Sequence, residues 1–242
     1  MSLLLSVSAL QKSFGAVVVA DATSFDISKG EAVGIIGPNG AGKTSLFNLI
    51  TGALRPDGGR IGFDGVDITA QSAAARCKLG IARSFQIPQP FGGMTVFENA
   101  MVGATQGAGL AGYDAEQHAL SVLQETGLLA RANARAETLT LLERKRLELT
   151  RALAARPRLL LLDEIAGGLT EMECRSLIGT IQRIHKSGTT IVWIEHVVHA
   201  LLAVVERLIV IDFGRKIAEG EPKSIMQSAE VREIYLGVDP DA

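Results

Sequence analysis

Residues 32–52 read AVGIIGPNGAGKTSLFNLITG and give the strongest indication of the fold. The apolar run at its start predicts a buried strand, and the leucine and isoleucine spacing after Ser45 predicts a helix that ends at Gly52. Between them, Gly37–Thr44 matches the eight-residue pattern G-x-x-x-x-G-K-[ST]. A strand, a glycine-rich loop and a helix in this order form the setting in which the pattern binds phosphate.

The chemistry expected of this loop follows from its glycines and its lysine. Glycines let backbone N–H groups approach phosphate oxygens without a Cβ in the way, and the helix presents its positive end to the anion. Lys43 is expected to reach the β- and γ-phosphates of a nucleotide, and Thr44 to bind Mg²⁺. A dinucleotide site would need G-x-G-x-x-G, and neither Gly37 nor Gly40 starts that spacing. The expected nucleotide contacts of the loop are Gly37, Pro38, Asn39, Gly40, Ala41, Gly42, Lys43, Thr44 and Ser45.

Apolar strands and helices alternate in the last third of the chain. The runs 159–162, 190–194 and 208–211 are strand-like, and the stretch 172–185 has helical spacing. Such alternation predicts a mainly parallel sheet covered by helices. The expected fold class is therefore α/β, with a RecA-like core built around the phosphate loop.

A small antiparallel unit is expected ahead of the middle of the chain. The turn signals 57–59 and 64–65 flank the strand-like residues 60–63, which indicates a hairpin. The first ten residues, MSLLLSVSAL, are predicted to form a strand. A signal peptide is disfavoured, because serines interrupt the apolar stretch and no basic residues precede it.

Helix signals dominate from about residue 91 to residue 156. The segments Thr95–Glu98 and Asp114–Gln117 have the spacing of a capping box, and Gly127 suits the end of the second helix. This segment is expected to be a helical lobe inserted into the sheet-containing part. The expected organisation is one domain, 1–242, with a nucleotide-binding core and β subdomain in 1–90 and 157–242 and a helical subdomain in 91–156.

Two carboxylates follow the most apolar predicted strand, since Asp163 and Glu164 come directly after four leucines. In open α/β sheets the carboxyl ends of the strands face the crevice where ligands bind. Asp163 is expected to hold the Mg²⁺ shell, and Glu164 to orient or deprotonate the water that attacks the γ-phosphate. Taken alone, the stretch is also compatible with two acids that cap the next helix.

Composition argues against several classes of protein. With 24 basic and 26 acidic residues the net charge is −2, so no overall positive field indicates a nucleic-acid partner. Cys77 and Cys174 lack the paired spacing of a zinc site or a disulfide framework, which favours a reducing cytoplasmic compartment. The longest apolar runs fall short of the ~18 residues that span a bilayer, so a membrane role would need other chains.

With these pieces in place, the chain resembles the ABC ATPase family, whose motifs appear in that family's order over nearly the whole sequence. By this resemblance Phe14 is the aromatic that stacks on adenine, and Gln86 is the glutamine that contacts the metal and the attacking water. His196 is the histidine that contacts the γ-phosphate. Phe14 is also compatible with a strand-edge residue of the core, and Gln86, taken alone, with a solvated loop residue. A metal pair of His196 with His199 is disfavoured, because neither H-E-x-x-H nor H-x-x-E-H is present.

The signature segment of that family is altered in this chain. Where relatives have LSGGQ or LSYGE, residues 139–143 read LTLLE. Thr140 keeps a hydroxyl that can meet a γ-phosphate, whereas Leu142 replaces a glycine whose missing Cβ allows close backbone approach. Members of the family sandwich two nucleotides between two chains, so the site that faces Thr140 is expected to be weakened. The alternative is that this branch of the family tolerates leucine there.

Residues 80–104 and 207–237 are most similar to ATP-binding subunits of bacterial branched-chain amino-acid importers. The resemblance implies ATP and Mg²⁺ as cofactors, and ATP hydrolysis coupled to uptake of a small solute. It implies two membrane permeases, a second ABC ATPase chain and, indirectly, an extracytoplasmic binding protein as partners, with no nucleic acid. The apolar residues and two prolines of Ile87–Met94 are expected to dock a permease helix, and the alternative is an ordinary ordered loop.

The same resemblance implies a peripheral position at the cytoplasmic face of the inner membrane. The substrate stays open, because relatives serve leucine-type amino acids, urea, short amides and aromatic acids. Two other classes of function also stay open: an ATP-binding interaction subunit with a catalytically weak site, and a soluble ABC ATPase without a transport role.

Overall fold

Two β-sheets organise the fold in the computed structural model, which describes residues 2–236. Met1 and residues 237–242, which the sequence pattern assigns to the same domain, lie outside the described residues. The strands are β1 (Leu3–Phe14), β2 (Val17–Ser28), β3 (Ala32–Ile36), β4 (Gly58–Phe63), β5 (Val66–Asp67), β6 (Ile81–Arg83), β7 (Leu159–Asp163), β8 (Thr190–Ile194), β9 (Arg207–Asp212) and β10 (Arg215–Gly220). The α-helices are α1 (Lys43–Thr51), α2 (Ala73–Lys78), α3 (Val96–Val102), α4 (Gly112–Thr126), α5 (Leu141–Ala154), α6 (Glu171–Lys186), α7 (Val198–Leu202), α8 (Pro222–Gln227) and α9 (Ala229–Leu236). A π-helical turn at Gly103–Gly107 continues α3, and 3₁₀ turns occupy Leu129–Arg131 and Ala136–Thr138.

The larger sheet has the strand order β10-β9-β3-β8-β7-β6 and is mainly parallel, which confirms the predicted fold class. Strands β9, β3, β8, β7 and β6 run parallel, and only β10 pairs antiparallel, with β9. Every residue of β3, β7 and β8 is buried, as expected of parallel strands covered on both faces. The carboxyl ends of these strands therefore meet at one edge of the sheet.

The two faces of β7 connect the sheet to different helices. Because successive side chains of a strand point to opposite faces, neighbouring leucines enter different parts of the core. Leu160 belongs to the apolar cluster that contains Leu177 of α6, and Leu161 to the cluster that contains Leu49 of α1. Each fully buried leucine stabilises the fold by about 1.5–3 kcal/mol.

The smaller sheet is antiparallel, with the order β2-β1-β4-β5, and contains the hairpin that the sequence predicts. Asp64 and Gly65 form its turn with φ of 51° and 81°, the left-handed pair typical of a two-residue hairpin. The other predicted turn is wrong, since Gly58 and Gly59 lie inside β4. A Cβ on Gly59 would lie 2.4 Å from the carbonyl oxygen of Ala9, so this glycine permits close approach of two strands.

Helices α3, α4 and α5 lie within the segment 91–156 and share a small core that includes Val96, Leu123 and Leu147. Among the helices of residues 2–236, none is both long enough and apolar enough to cross a bilayer.

The three predicted helix-end signals of this segment have different outcomes. The capping box at Thr95 is confirmed, because the Glu98 amide donates to Thr95 Oγ1 at 3.1 Å and the Thr95 amide to Glu98 Oε2 at 2.7 Å. Gly127 ends α4 in a left-handed conformation with φ of 76°, as predicted. The box at Asp114 is wrong, because α4 already begins at Gly112 and places Asp114 inside its first turn. There the carboxylate favours the positive end of the helix without capping it.

Candidate functional site

The phosphate loop, residues 37–44, contains two glycines at positions where no side chain fits. Gly37 has a φ of 155°, and a Cβ there would lie 1.9 Å from the carbonyl oxygen of Ile211. Gly42 has a φ of 100°, and a Cβ there would lie 2.3 Å from the carbonyl oxygen of Val19. The loop backbone is thus held against β9 and β2, and a larger residue would push it away.

The helix that follows the loop begins without a cap. Gly42 is the N-cap of the nine-residue helix α1 and has no side chain to bind the first N–H groups, and no acidic residue lies in the first turn. These donors and the positive end of the helix dipole are therefore available to an anion.

Lys43 is buried at the start of α1, and its ammonium group turns back onto the loop. Its Nζ donates to the carbonyl oxygens of Gly37 and Pro38 at 2.8 Å each. Burial lowers the pKa of Lys43, whereas the carboxylates of Glu164 and Asp163 act to raise it. A phosphate would offer the ammonium group charged acceptors, which are stronger than these two carbonyls. Of the other predicted loop contacts, Asn39, Gly40 and Thr44 are exposed, Pro38, Gly42 and Ser45 are half-buried, and Gly37 and Ala41 are buried.

Asp163 is the last residue of β7 and is 1% exposed. Its Oδ2 pairs with the guanidinium group of Arg83, from the neighbouring strand β6, while its Oδ1 is buried with no hydrogen-bond partner among the described residues. Burial raises the pKa of this carboxyl, and Arg83 lowers it. A carboxylate oxygen without a partner and the hydroxyl of Thr44 are hard oxygen ligands, so the residues present fit Mg²⁺.

Gln86, Glu164 and His196 come together from distant parts of the chain. Gln86 Nε2 donates to Glu164 Oε2 at 2.5 Å, and His196 Nε2 lies 2.8 Å from Glu164 Oε1. The three residues follow β6, β7 and β8, at the carboxyl edge of the parallel sheet where ligands bind in such folds. With Glu164 ionised, the His196 tautomer that carries its proton on Nε2 donates to it. Each oxygen of the carboxylate is then held by one donor.

The backbone of Glu164 is strained and held from two sides. Its φ of 46° is uncommon for a residue other than glycine. Its amide donates to the carbonyl of Ile194 at 2.8 Å, and the buried Lys145 Nζ donates to its carbonyl at 3.2 Å. Burial lowers the pKa of Lys145, and the carboxylates of Glu195 and Glu164 act to raise it. Strain that is fixed by its surroundings in this way is typical of functional sites.

Three charged residues of the site were missed by reasoning from the sequence: Arg83, Lys145 and Glu195. Glu195 is 1% exposed, and its carboxylate accepts the amides of Ala166 and His196 at 2.9 and 3.0 Å. Arg83 ends a buried strand and Glu195 directly follows one, and a charge at such a place needs a partner, which is a signal that was available. Lys145 gave no such signal, because it lies among the many charged residues of α5.

The other two predicted contacts lie apart from this group. Phe14, at the end of β1, is 53% exposed, and its ring centroid lies 5.4 Å from Lys12 Nζ. Thr140 is the N-cap of α5, where its Oγ1 accepts the Glu143 amide at 3.4 Å and its own amide donates to Glu143 Oε2 at 2.9 Å. These two bonds of Thr140 form a capping box within the helix.

The arrangement can bind a triphosphate and assist its cleavage by water. The uncapped end of α1 and Lys43 supply positive charge for the phosphates. Asp163 has a carboxylate oxygen with no hydrogen-bond partner among the described residues, and Glu164 is a carboxylate fixed by two donors, which suits it to orient a water molecule.

ATP-binding proteins of two transport systems are similar to this chain over nearly its whole length. The family model described as ABC transporter matches residues 20–167. The high-affinity branched-chain amino acid transport ATP-binding protein BraF of Pseudomonas aeruginosa is 33% identical, with 97% of this chain and 98% of that protein covered. The lipopolysaccharide export system ATP-binding protein LptB of Acidithiobacillus ferridurans is 32% identical, with 98% of each chain covered.

Solved structures of ATP-binding cassettes share the fold. A nucleotide-free ATP-binding cassette from an ABC transporter has a TM-score of 0.88 at 30% identity and covers 98% of this chain and 100% of its own. The ADP conformation of an ATP-binding cassette of an ABC transporter has a TM-score of 0.88 at 31% identity with the same coverage. Together with the family match, these similarities show that the chain belongs to the ABC transporter family, as an ATP-hydrolysing subunit of a transporter.

Proposed function

We propose that this subunit drives an importer whose cargo is a branched-chain amino acid or a related amino acid, amide or aromatic acid. The observation that carries the proposal is the hydrogen-bonded cluster of Gln86, Glu164 and His196. This cluster occurs in a chain that is similar to BraF over nearly the full length of both proteins. BraF and the LivG protein of Escherichia coli are both named for branched-chain amino acid transport. Export is the competing direction, because LptB is named for an export system at almost the same identity.

In the proposed complex with ATP, residues 37–45 surround the phosphates. Lys43 leaves its two loop carbonyls for the β- and γ-phosphates, and Phe14 stacks on the adenine. The residues that would hold Mg²⁺ are Thr44, Gln86 and Asp163. When bound, the metal neutralises charge on the phosphate oxygens.

Glu164 is the proposed base of the hydrolysis. Gln86 and His196 hold one oxygen of its carboxylate each, so the carboxylate has a fixed orientation toward a water placed for in-line attack on the γ-phosphate. His196 contacts the γ-phosphate once nucleotide is present. The contacts of Lys145 and of the Ile194 carbonyl with the backbone of Glu164 keep this geometry in place.

We propose that a permease helix docks at the segment Ile87–Met94 and at an adjoining groove of about 520 Å³. The groove lies between α1 and α2 on one side and α3, the π-helical turn and α5 on the other. Phe85 lines it and is 49% exposed, and the neighbouring Ile87 is 71% exposed. Gly107 keeps the turn close to α5, since a Cβ there would lie 2.4 Å from Cβ of Ala155.

The segment Ile87–Met94 is proposed to transmit movement between this groove and Gln86. The Gln89 amide donates to Glu148 Oε1 at 2.9 Å, and its carbonyl accepts from Arg151 Nη1 at 2.8 Å. Both partners belong to α5 and line the groove. A displacement of α5 by a docked helix would therefore pull on the loop that carries Gln86.

The proposed assembly contains two membrane permeases, this chain and a second ABC ATPase chain, with an extracytoplasmic binding protein that delivers the solute. It lies at the cytoplasmic face of the inner membrane and involves no nucleic acid. In the closed pair, Thr140 faces the nucleotide held by the partner. Leu142 weakens that site by keeping the backbone at a distance.

Purification from native membranes tests the proposal. The tagged chain is extracted with mild detergent, and its companions are identified by mass spectrometry. Two permeases, a second ABC ATPase and ATP turnover that rises with an amino-acid-loaded binding protein are expected. Membrane partners without any binding protein would favour export, and a chain recovered without membrane partners would overturn the transport proposal.

The variant Glu164→Gln separates an ATPase from an ATP-binding interaction subunit. Loss of the general base is expected to lower ATP turnover of the assembled complex by about 10²–10⁴-fold while ATP binding persists. The exposed replacement Glu116→Gln on α4 serves as the control. Equal turnover of Glu164→Gln and the parent would support the interaction subunit.

A further inference from the structure

We infer that Arg83 is the internal cation that neutralises Asp163 while the site holds no metal, so that Mg²⁺ enters only together with the nucleotide. The inference rests on the proposed function, because it assumes that Asp163 is the carboxylate that would hold Mg²⁺.

The guanidinium group of Arg83 is held by two hydrogen-bond partners and two aromatic rings, whereas its Nε has no hydrogen-bond partner among the described residues. The side chain is 6% exposed at the end of β6, next to Asp163 at the end of β7. Nη2 bonds to Asp163 Oδ2, and Nη1 donates to Asn48 Oδ1 at 2.6 Å. The ring centroids of Phe47 and Phe85 lie 5.4 and 5.2 Å from its Cζ. A planar fork between two rings is a geometry specific to arginine.

Asp163 needs this cation because it is buried. A carboxylate removed from water without a positive partner is costly. Lys43 does not fill that role here, since its Nζ is bound to the carbonyls of Gly37 and Pro38. Within residues 2–236, the salt bridge of Asp163 is with Arg83 alone.

The two carboxylate oxygens of Asp163 have different surroundings. Arg83 occupies Oδ2, and Oδ1 keeps no partner among the described residues. Because Mg²⁺ gives up its water reluctantly, a carboxylate already neutralised by a guanidinium group is a poor ligand for the free ion. The phosphates of a nucleotide add the negative charge that is missing, so the metal is retained once the nucleotide is bound.

Without the positive charge of Arg83, the empty site would attract free divalent cations. The full negative charge of Asp163 would then add to that of the neighbouring Glu164. Mn²⁺, which takes the same oxygen ligands and gives an electron paramagnetic resonance signal, is the probe.

The experiment titrates the nucleotide-free full chain with Mn²⁺ and measures the free ion by electron paramagnetic resonance. Arg83→Gln, which removes the charge and keeps polar atoms for Asn48 and Asp163, is expected to bind Mn²⁺ at least about tenfold more tightly than the parent. Arg83→Met should do the same, and Arg83→Lys, which keeps the charge, should stay close to the parent. Adding Asp163→Asn to Arg83→Gln should abolish the gain.

Misfolding would expose other carboxylates that bind Mn²⁺, so the addition of Asp163→Asn separates a gain at this site from such non-specific binding. Equal Mn²⁺ affinity of Arg83→Gln and the parent would overturn the role of Arg83. A gain that survives Asp163→Asn would overturn it as well. The parent chain with ATP added tests the proposed function separately, and Mn²⁺ uptake is judged against ATP without protein, because ATP itself binds Mn²⁺. If ATP does not bring Mn²⁺ into the site, the proposed metal site itself is overturned, independently of the role of Arg83.

Discussion

The helices α1 and α5 both begin where the family resemblance places a phosphate, yet their first turns are built in opposite ways. Helix α1 begins after Gly42, with no side-chain cap and no acid in its first turn. Helix α5 begins after Thr140, whose hydroxyl and the carboxylate of Glu143 form a reciprocal capping box. The first donors of α1 are free for a ligand, whereas two of the donors at α5 are satisfied within the chain. The residues around the N-cap therefore decide how open a helix start is to an anion.

Lys43 is the charged residue at the uncapped start of α1, so its replacement should have the largest effect on nucleotide binding. Lys43→Met is expected to lower the affinity of the isolated chain for ATP by about a hundredfold, because it removes charge-assisted bonds to two phosphates. Isothermal titration measures the loss, with the exposed Lys78→Met as the matched control. Wild-type affinity in Lys43→Met would show that the start of α1 is not the nucleotide site.

Replacing Leu142 with glycine should make the start of α5 more accessible to a phosphate, as the start of α1 already is. Leu142→Gly is expected to raise ATP turnover of the assembled complex by roughly tenfold, the value of one recovered hydrogen bond. Leu142→Ala, which keeps a Cβ, should raise turnover less. Unchanged turnover in Leu142→Gly would mean that this branch of the family works with leucine at the position.

Removing the cap of α5 separates stability from nucleotide binding. Thr140→Ala is expected to lower the free energy of unfolding by about 1 kcal/mol, the usual value of an N-cap. ATP affinity of the isolated chain should not change, since Thr140 bonds within its own helix. Denaturant unfolding gives the first quantity and titration the second, with the exposed Thr138→Ala as control. A loss of ATP affinity in Thr140→Ala would show that Thr140 takes part in nucleotide binding within its own chain.

Helix α6 also begins with a capping box, formed by Thr170 and Glu173, and its contribution to stability should depend on pH. The hydrogen bond from the Thr170 amide holds the pKa of Glu173 below its ordinary value. A lowered pKa in the folded state gives stabilisation that is present above the ordinary glutamate pKa of about 4.3 and is lost as pH falls through the lower folded value. The melting temperature of the parent should exceed that of Glu173→Gln at neutral pH, and the difference should shrink in acid. A difference that grows in acid would reverse the sign.

The sequence predicts the features of this fold that depend on neighbouring residues. The strand, loop and helix around Gly37–Thr44, the hairpin at Asp64 and the capping box at Thr95 are set by local geometry. The failures also have local causes: Gly59 serves strand contact where a turn was predicted, and Asp114 lies two residues inside its helix. The strand order of the larger sheet is not local, and no pattern in the chain specified it.

The candidate site was predictable in its motifs and not in its contacts. Gln86 and His196 were selected by resemblance, and their shared contact with Glu164 appears only in three dimensions. Arg83 was missed because its partner Asp163 lies on a strand that is distant in sequence. The roles of Phe14 in binding adenine and of the loop residues in binding phosphate stay predictions.

The strand order has a consequence for how the chain is made. Val33 of the central strand β3 pairs with Val192 on one side and with Arg207 on the other, and both partners lie near the end of the chain. Folds dominated by such distant pairings form slowly, because the entropy of closing a long loop is lost before the stabilising contacts form. On the ribosome, β3 and the phosphate loop emerge early and wait for almost the whole chain to be synthesised. The helices α3 to α5 contact one another over shorter distances in sequence than β3 and its partners do, and can associate first.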